Sequence, residues 1–345
     1  MDRAKIGLLG AGFVAELYMQ SLSQVRDHDV LSVFSQYESE AQAFAEKWSI
    51  PEYSASMEAI VNHPDVNLVV IGVPHHLHVE TVKMVAAVGK ALVCTKPLGR
   101  SGQEAFECLK AVEAAGIWHG YAETEVFSPA MIRAKQLADS GALGKVYWVR
   151  FREAHAQIHK FARSPELNGG GPLRGLGCHG VAVGRWFLGG GVPVQVFAWG
   201  DTIARDDVQA EDSGLMMIRF ADGSMSQVEV GWGHKAGLDT RAEIHGTEGY
   251  VTTNVTNETG IKAFTTKSAG YVVEKAAVDH GWTMPVPNEA VAYGFHYEMD
   301  HFVHAFLAGE EPWQTLRDGL IDNSIIDAAY RSIESGTWED VVLPE

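Results

Sequence analysis

Near its start the chain reads Lys5-Ile6-Gly7-Leu8-Leu9-Gly10-Ala11-Gly12-Phe13-Val14-Ala15. An apolar run, a G-x-G-x-x-A turn and the opening of a helical pattern follow one another with no spacer, and few folds accept that order. Gly10 lets the backbone turn sharply after a strand, Gly12 lets it come close to a pyrophosphate, and Ala15 keeps helix and strand close together. The helix opens at Val14, and the N–H groups at its start, those of Phe13 and Val14, form a cradle for phosphate. Further units of the same kind follow. Strands are predicted over 6–9, 30–34, 67–72, 91–94 and 117–121, and helices over 14–24, 40–48, 79–88 and 103–114. The unbroken apolar stretch at 67–72 suits a parallel strand covered on both faces. The alternation predicts an α/β fold with a doubly wound parallel sheet.

After Pro129 the texture changes. Strand-like segments at 145–152, 194–199, 213–220, 224–232, 241–245 and 250–253 are joined by turn residues such as Ala221-Asp222-Gly223-Ser224. Helices are predicted over 130–140, 176–188, 297–307 and 316–332. This half reads as an α+β region whose large sheet is mostly antiparallel. At 345 residues the chain is long for one core. The expected division is a dinucleotide-binding domain over 1–123 and a substrate domain over 124–345, with the last helix packing back on the first.

Composition excludes several classes of partner. A formal net charge of −17 argues against nucleic acid and against an anionic membrane surface. Cys94, Cys108 and Cys178 are odd in number, widely spaced and free of any C-x-x-C pattern. That fits a reducing, cytoplasmic setting without a structural zinc site. The apolar run after Arg3 and Lys5 is a strand and a phosphate turn rather than a leader.

Taken in order, several motifs resemble those of the glucose–fructose oxidoreductase, inositol dehydrogenase and rhizopine-catabolism (Gfo/Idh/MocA) family. They are the glycine turn, Gly72-Val73-Pro74 ahead of His75 and His78, Thr95-Lys96-Pro97, Ala122-Glu123-Thr124 leading to Phe127-Ser128-Pro129, and Gly169-Gly170-Gly171 leading to Gly177-Cys178-His179. The resemblance covers essentially the whole chain. It implies an N-terminal Rossmann domain, an open-faced sheet domain through which copies of the chain associate, and hydride transfer at a secondary alcohol of a sugar or polyol. It also places Val73, Pro74, His75, His78 and Glu123 around the cofactor.

Lys96 is the leading catalytic candidate and a substrate and cofactor contact. It follows a buried strand at the edge where such sheets bind ligands, and a partly desolvated lysine can take a proton from a hydroxyl. The family's Glu-Lys-Pro is Thr-Lys-Pro here. His179 is the second candidate. The family's Asp-x-x-x-His sets a carboxylate beside the imidazole on one helix face, but Gly175 stands at the aspartate position. Glu123, Glu153 and His155 are nearby polar candidates to fill the gap.

The family's ribose-binding acidic residue falls at Ser35, followed by Gln36. No cation follows until Lys47, and Glu38 and Glu40 lie between. NAD is therefore expected rather than NADP. From 150 to 185 the chain carries Arg150, Arg152, Lys160, Arg163, Arg174 and Arg185 against Glu153 and Glu166, a local excess of four positive charges. One expectation from this is an anionic sugar gripped by Arg174; surface cations or a subunit contact are the alternative. His75-His76-Leu77-His78 and the helical set His296, Asp300 and His304 are expected to be polar faces rather than metal sites.

Three functions remain open on the sequence. The first is a sugar or polyol dehydrogenase. The second is a glycosidase that oxidises its sugar transiently at C3, eliminates, hydrates and re-reduces, for example on a sulfonated or carboxylated glycoside. The third is a nucleotide-binding sensor without catalysis.

Overall fold

The protein is described from a computed structural model over residues 2–268, 270–271 and 274–345. The first half runs β1 (Ala4–Leu9), α1 (Phe13–Leu22), β2 (His28–Phe34), α2 (Glu38–Trp48), β3 (Glu52–Ser54), α3 (Met57–Val61), β4 (Leu68–Ile71), α4 (His78–Ala87), β5 (Ala91–Thr95), α5 (Gly102–Ala115) and β6 (His119–Ala122). These six strands form one parallel sheet in the order β3-β2-β1-β4-β5-β6. Strand order reverses between β1 and β4, the point at which such sheets bind ligands beyond their carboxyl ends.

Local chemistry sets these elements. All four residues of β4 are buried, as a central parallel strand requires. The Ser101 side chain accepts the Glu104 N–H at 3.2 Å to start α5, and Gly116 in the left-handed region ends it. Ala105, Cys108, Leu109 and Val112 form its buried stripe. A leucine or valine so buried contributes about 1.5–3 kcal/mol. The sequence reading omits β3 and α3. β3 is an edge strand with two exposed residues and no apolar alternation, and α3 spans only Met57–Val61.

The second half contains α6 (Pro129–Asp139), β7 (Val146–Ala154), α7 (Pro165–Asn168), α8 (Pro172–Gly175), α9 (Gly177–Phe187), β8 (Pro193–Asp201), β9 (Ser213–Phe220), β10 (Met225–Gly231), β11 (Asp239–Gly246), β12 (Tyr250–Asn254), the hairpin strands β13 (Ala263–Thr265) and β14 (Gly281–Thr283), α10 (Glu289–Ala292), α11 (Phe295–Ala308), α12 (Leu316–Ser335) and β15 (Glu339–Asp340). Seven strands make a mixed sheet in the order β12-β11-β7-β10-β9-β8-β15, in which only β7 and β10 pair in parallel. Helix α9 lies on one face. A Cβ at Gly180 would come within 2.5 Å of Val228, so the glycine allows helix and sheet to touch. On β8, Val196 and Ala198 are buried, whereas Phe197 and Trp199 alternate with them toward the other face.

The chain groups into two units. The first runs to Glu123 and takes in Phe295–Ile321; the second holds Thr124–Gly294 and Asp322–Pro344. The expected range 124–345 is thus interrupted by a return to the first unit, and a unit boundary falls inside α12. Among the described residues, no helix is long and apolar enough to cross a membrane.

Candidate functional site

In the first unit the glycine turn connects β1 to α1. The Gly10 N–H bonds to the Phe34 carbonyl at 3.1 Å and the Gly72 N–H to the Leu9 carbonyl at 2.8 Å. The turn is therefore tied to the ends of both β2 and β4. Gly10 has φ +125°, and a Cβ there would lie 2.5 Å from the Gly72 oxygen, so only glycine fits. Gly12 differs: a Cβ there meets nothing within 4 Å. Gly12 is also the N-cap of α1, which has no side-chain cap. Open space in front of uncapped helix N–H groups fits a dinucleotide's pyrophosphate. Phe13 is exposed and Val14 half-buried at the first turn.

At the end of β2, Ser35 is buried and its hydroxyl donates to Glu40 Oε2 at 2.9 Å; Gln36 is exposed. After β4, Val73 and His75 are buried and Pro74 is half-buried. His75 packs against His78 with ring centroids 5.7 Å apart.

His78 is surrounded by backbone carbonyls. It is fully buried; Nδ1 lies 3.0 Å from the Pro97 carbonyl and 3.2 Å from that of Leu98, and Nε2 lies 3.0 Å from the Val73 carbonyl. His78 thus lies between the backbone of the segment after Lys96 and that of the segment after β4, and a neutral ring donates to one of the two. Burial pulls its pKa down, while the three carbonyls oppose that pull.

Lys96 stands immediately after β5, half-buried, and precedes a cis peptide bond to Pro97. Beside it is a cluster that sequence reasoning missed. Tyr18 from α1 and Glu298 from α11 are fully buried, and Thr95 is nearly so. The Tyr18 pKa is held well above the usual tyrosine range, chiefly by burial and then by the Glu298 charge. The sequence offered little signal, because Tyr18 and Glu298 are 280 positions apart on two predicted helices that nothing in the sequence links. Glu123, fully buried, closes this unit after β6, and its N–H bonds to the Tyr121 carbonyl at 2.9 Å.

In the second unit, His179 lies on the first turn of α9, 5% exposed. Its Nε2 is 3.8 Å from Oε2 of Glu153, which is 4% exposed on β7. A carboxylate therefore does stand beside the histidine, delivered by the sheet and not by the helix. Gly175 is buried next to Asn168 and Trp232, each 3.5 Å from the position of its absent Cβ. His155, also buried, follows β7, and its N–H bonds to the Gly231 carbonyl at 3.0 Å.

Arg174 is engaged inside the fold. It is 1% exposed. Its guanidinium donates to the Asn323 carbonyl at 3.2 Å and to Asn323 Oδ1 at 3.0 Å, pairs with Asp327, and lies 5.6 Å from the Tyr330 ring centroid. The other arginines of the cationic stretch are also paired: Arg150 with Glu243, Arg152 with Asp239 and Glu229, Arg163 with Asp207, and Arg185 with Asp322. The local excess of positive charge is neutralised by acids distant in sequence, so its arginines are not a reserve of cations for a substrate.

Comparison with known proteins agrees with this architecture. Residues 4–121 match the model of an oxidoreductase family with an NAD-binding Rossmann fold, and 131–252 match the GFO/IDH/MocA C-terminal domain. Levoglucosan dehydrogenase of Pseudarthrobacter phenanthrenivorans is 25% identical, with 99% of each chain covered. Inositol 2-dehydrogenase of Rhizobium meliloti is 27% identical over 95% of this chain and 96% of that one. The crystal structure of GenD2 from gentamicin A biosynthesis, in complex with NAD, superposes with a TM-score of 0.91 at 27% identity, covering 99% of this chain and 97% of that one. With the six-stranded parallel sheet, the open glycine turn and both family models in agreement, the chain belongs to the Gfo/Idh/MocA family of NAD-binding oxidoreductases.

Proposed function

We propose that the protein is a stoichiometric NAD-dependent dehydrogenase that oxidises a secondary alcohol of a neutral sugar or polyol. Its relatives named above include enzymes for levoglucosan and inositol. The observation that carries the reading is the buried His179–Glu153 pair. The glycosidase alternative draws on the absent aspartate at Gly175 and on the excess of cations over 150–185; Glu153 offers a carboxylate beside His179, and the arginines of that stretch are paired. Neutral substrates are favoured because Arg174 is committed to Asn323 and Asp327.

The bound nicotinamide supplies the hydride acceptor. The remaining steps belong to the chain. Lys96 takes the hydroxyl proton as the carbonyl forms. His179 hydrogen-bonds a substrate hydroxyl through a ring nitrogen, and the Glu153 carboxylate acts on the ring by its charge from 3.8 Å. Glu123 and His155 line the substrate's surroundings as polar contacts. Copies of the chain associate through the sheet face that carries Phe197 and Trp199, which light scattering tests directly.

The decisive assay mixes the purified chain with NAD and a panel of neutral sugars and polyols. Reduced nicotinamide is expected to accumulate one for one with a ketone product. Lys96→Ala should lower kcat about a hundredfold or more, with a smaller change in KM. A Lys96→Ala enzyme with near-normal kcat removes the lysine from the mechanism. Aglycone release without accumulating reduced nicotinamide overturns the dehydrogenase reading in favour of cofactor recycling.

A further inference from the structure

In sheets of this strand order an acidic residue at the end of the second strand takes the ribose hydroxyls of NAD. This chain ends β2 at Phe34, and the next residue is a serine. The structure returns a carboxylate to that point by another route. Glu40, in the first turn of α2, has Oε2 within 2.9 Å of the Ser35 hydroxyl, which donates to it. The Glu40 N–H bonds to the Tyr37 carbonyl at 3.0 Å, closing the β2–α2 connection on itself. Ser35 is 7% exposed whereas Glu40 is exposed. A carboxylate offers about four acceptor positions, and the serine uses one. The end of β2 adjoins the cofactor turn, because the Phe34 carbonyl receives the Gly10 N–H.

The surrounding charges point the same way. No lysine or arginine occurs from Asp27 to Glu46. Lys47, the first cation after that stretch, pairs with Glu16 at 2.7 Å and lies 5.4 Å from the Trp48 ring centroid. A 2′-phosphate requires a cation, whereas a 2′-hydroxyl requires an acceptor.

We propose that Glu40, steered by Ser35, accepts the adenosine 2′-hydroxyl of NAD and by the same charge rejects the 2′-phosphate of NADP. The assignment rests on NAD binding and names the residue that makes the choice. Calorimetry on the whole chain tests it with three probes: NAD, 2′-deoxy-NAD and NADP. Wild type should bind NAD at least about tenfold more tightly than either of the others, as loss of a hydrogen bond to a charged group implies. Glu40→Gln should weaken NAD about tenfold, leave 2′-deoxy-NAD unchanged and narrow the gap to NADP. Glu40→Lys should reverse the preference toward NADP. Ser35→Ala should weaken NAD a few-fold.

Wild-type discrimination retained in both Glu40 variants overturns the proposal. So does an equal loss on all three probes, which would mark Glu40 as a helix-start residue only. Failure of wild type to bind any of the three overturns the cofactor reading itself and is distinct from both.

Discussion

In the first unit, the groups expected to meet a ligand are main-chain N–H groups in front of Gly12, with one short hydroxyl and one carboxylate five residues apart in the chain. In the second, the candidate is the buried His179 beside Glu153, and the buried arginines are tied to partners from far along the sequence: Arg174 to Asn323 and Asp327, Arg185 to Asp322. The first arrangement is built by backbone geometry at the turn and by one short-range side-chain pair, Ser35 with Glu40. The second depends on desolvated charge pairs. Loss of one partner there leaves the other stranded, at a cost of several kcal/mol.

Two substitutions should break this contrast most sharply. Gly12→Val should leave the melting temperature nearly unchanged, because a Cβ there meets nothing within 4 Å, yet abolish NAD binding by calorimetry. A Gly12→Val protein that binds NAD normally would refute the assignment of the turn. Arg174→Met should do the reverse. Stranding Asp327 and Asn323 is expected to cost about 3 kcal/mol in denaturant unfolding, with no preference between anionic and neutral substrates in KM. A selective loss on anionic substrates would restore the arginine to the substrate site.

Glu153→Gln sharpens the comparison further. If the carboxylate orients His179, kcat/KM should fall about tenfold and the acid limb of its pH profile should move, with partial rescue in Glu153→Asp. A fall in stability with unchanged kinetics would make the pair purely structural.

The smallest effect concerns the first unit. His301 Nε2 accepts the Trp313 N–H at 2.9 Å, and burial lowers the His301 pKa to about 4. The folded state thus prefers the neutral ring, while the unfolded chain protonates near the ordinary value of about 6.5. The contribution is complete above that value and is lost as pH falls toward 4. His301→Gln should flatten the pH dependence of the melting temperature across that window. An unchanged slope would show that the ring titrates alike in both states.

The legible parts of the molecule are those encoded within a few residues. The predicted strands at 6–9, 67–72 and 213–220 lie within or around the observed β1, β4 and β9. The Asp222-Gly223 turn joins β9 to β10 as expected, with Gly223 at φ +83°. The parallel strand order follows from alternation and connection rules, and the glycine turn from its own spacing. Less legible were short edge elements such as β3, whose residues carry no periodic signal.

By itself the sequence determined the α/β architecture and the cofactor turn, because each rests on patterns of strand, turn and helix that neighbouring residues enforce; the candidacy of Lys96 and His179 came with the resemblance to a family. Tertiary structure alone decided what the charges do. It buried Arg174 against Asn323 and Asp327, set His78 among backbone carbonyls, placed Glu153 beside His179, and joined Ser35 to Glu40. Electrostatic and hydrogen-bond energies depend on distance through space and on burial. A stretch with an excess of cations is therefore silent about its partners until the fold brings Glu243, Asp239, Asp207, Asp322 and Asp327 to meet it.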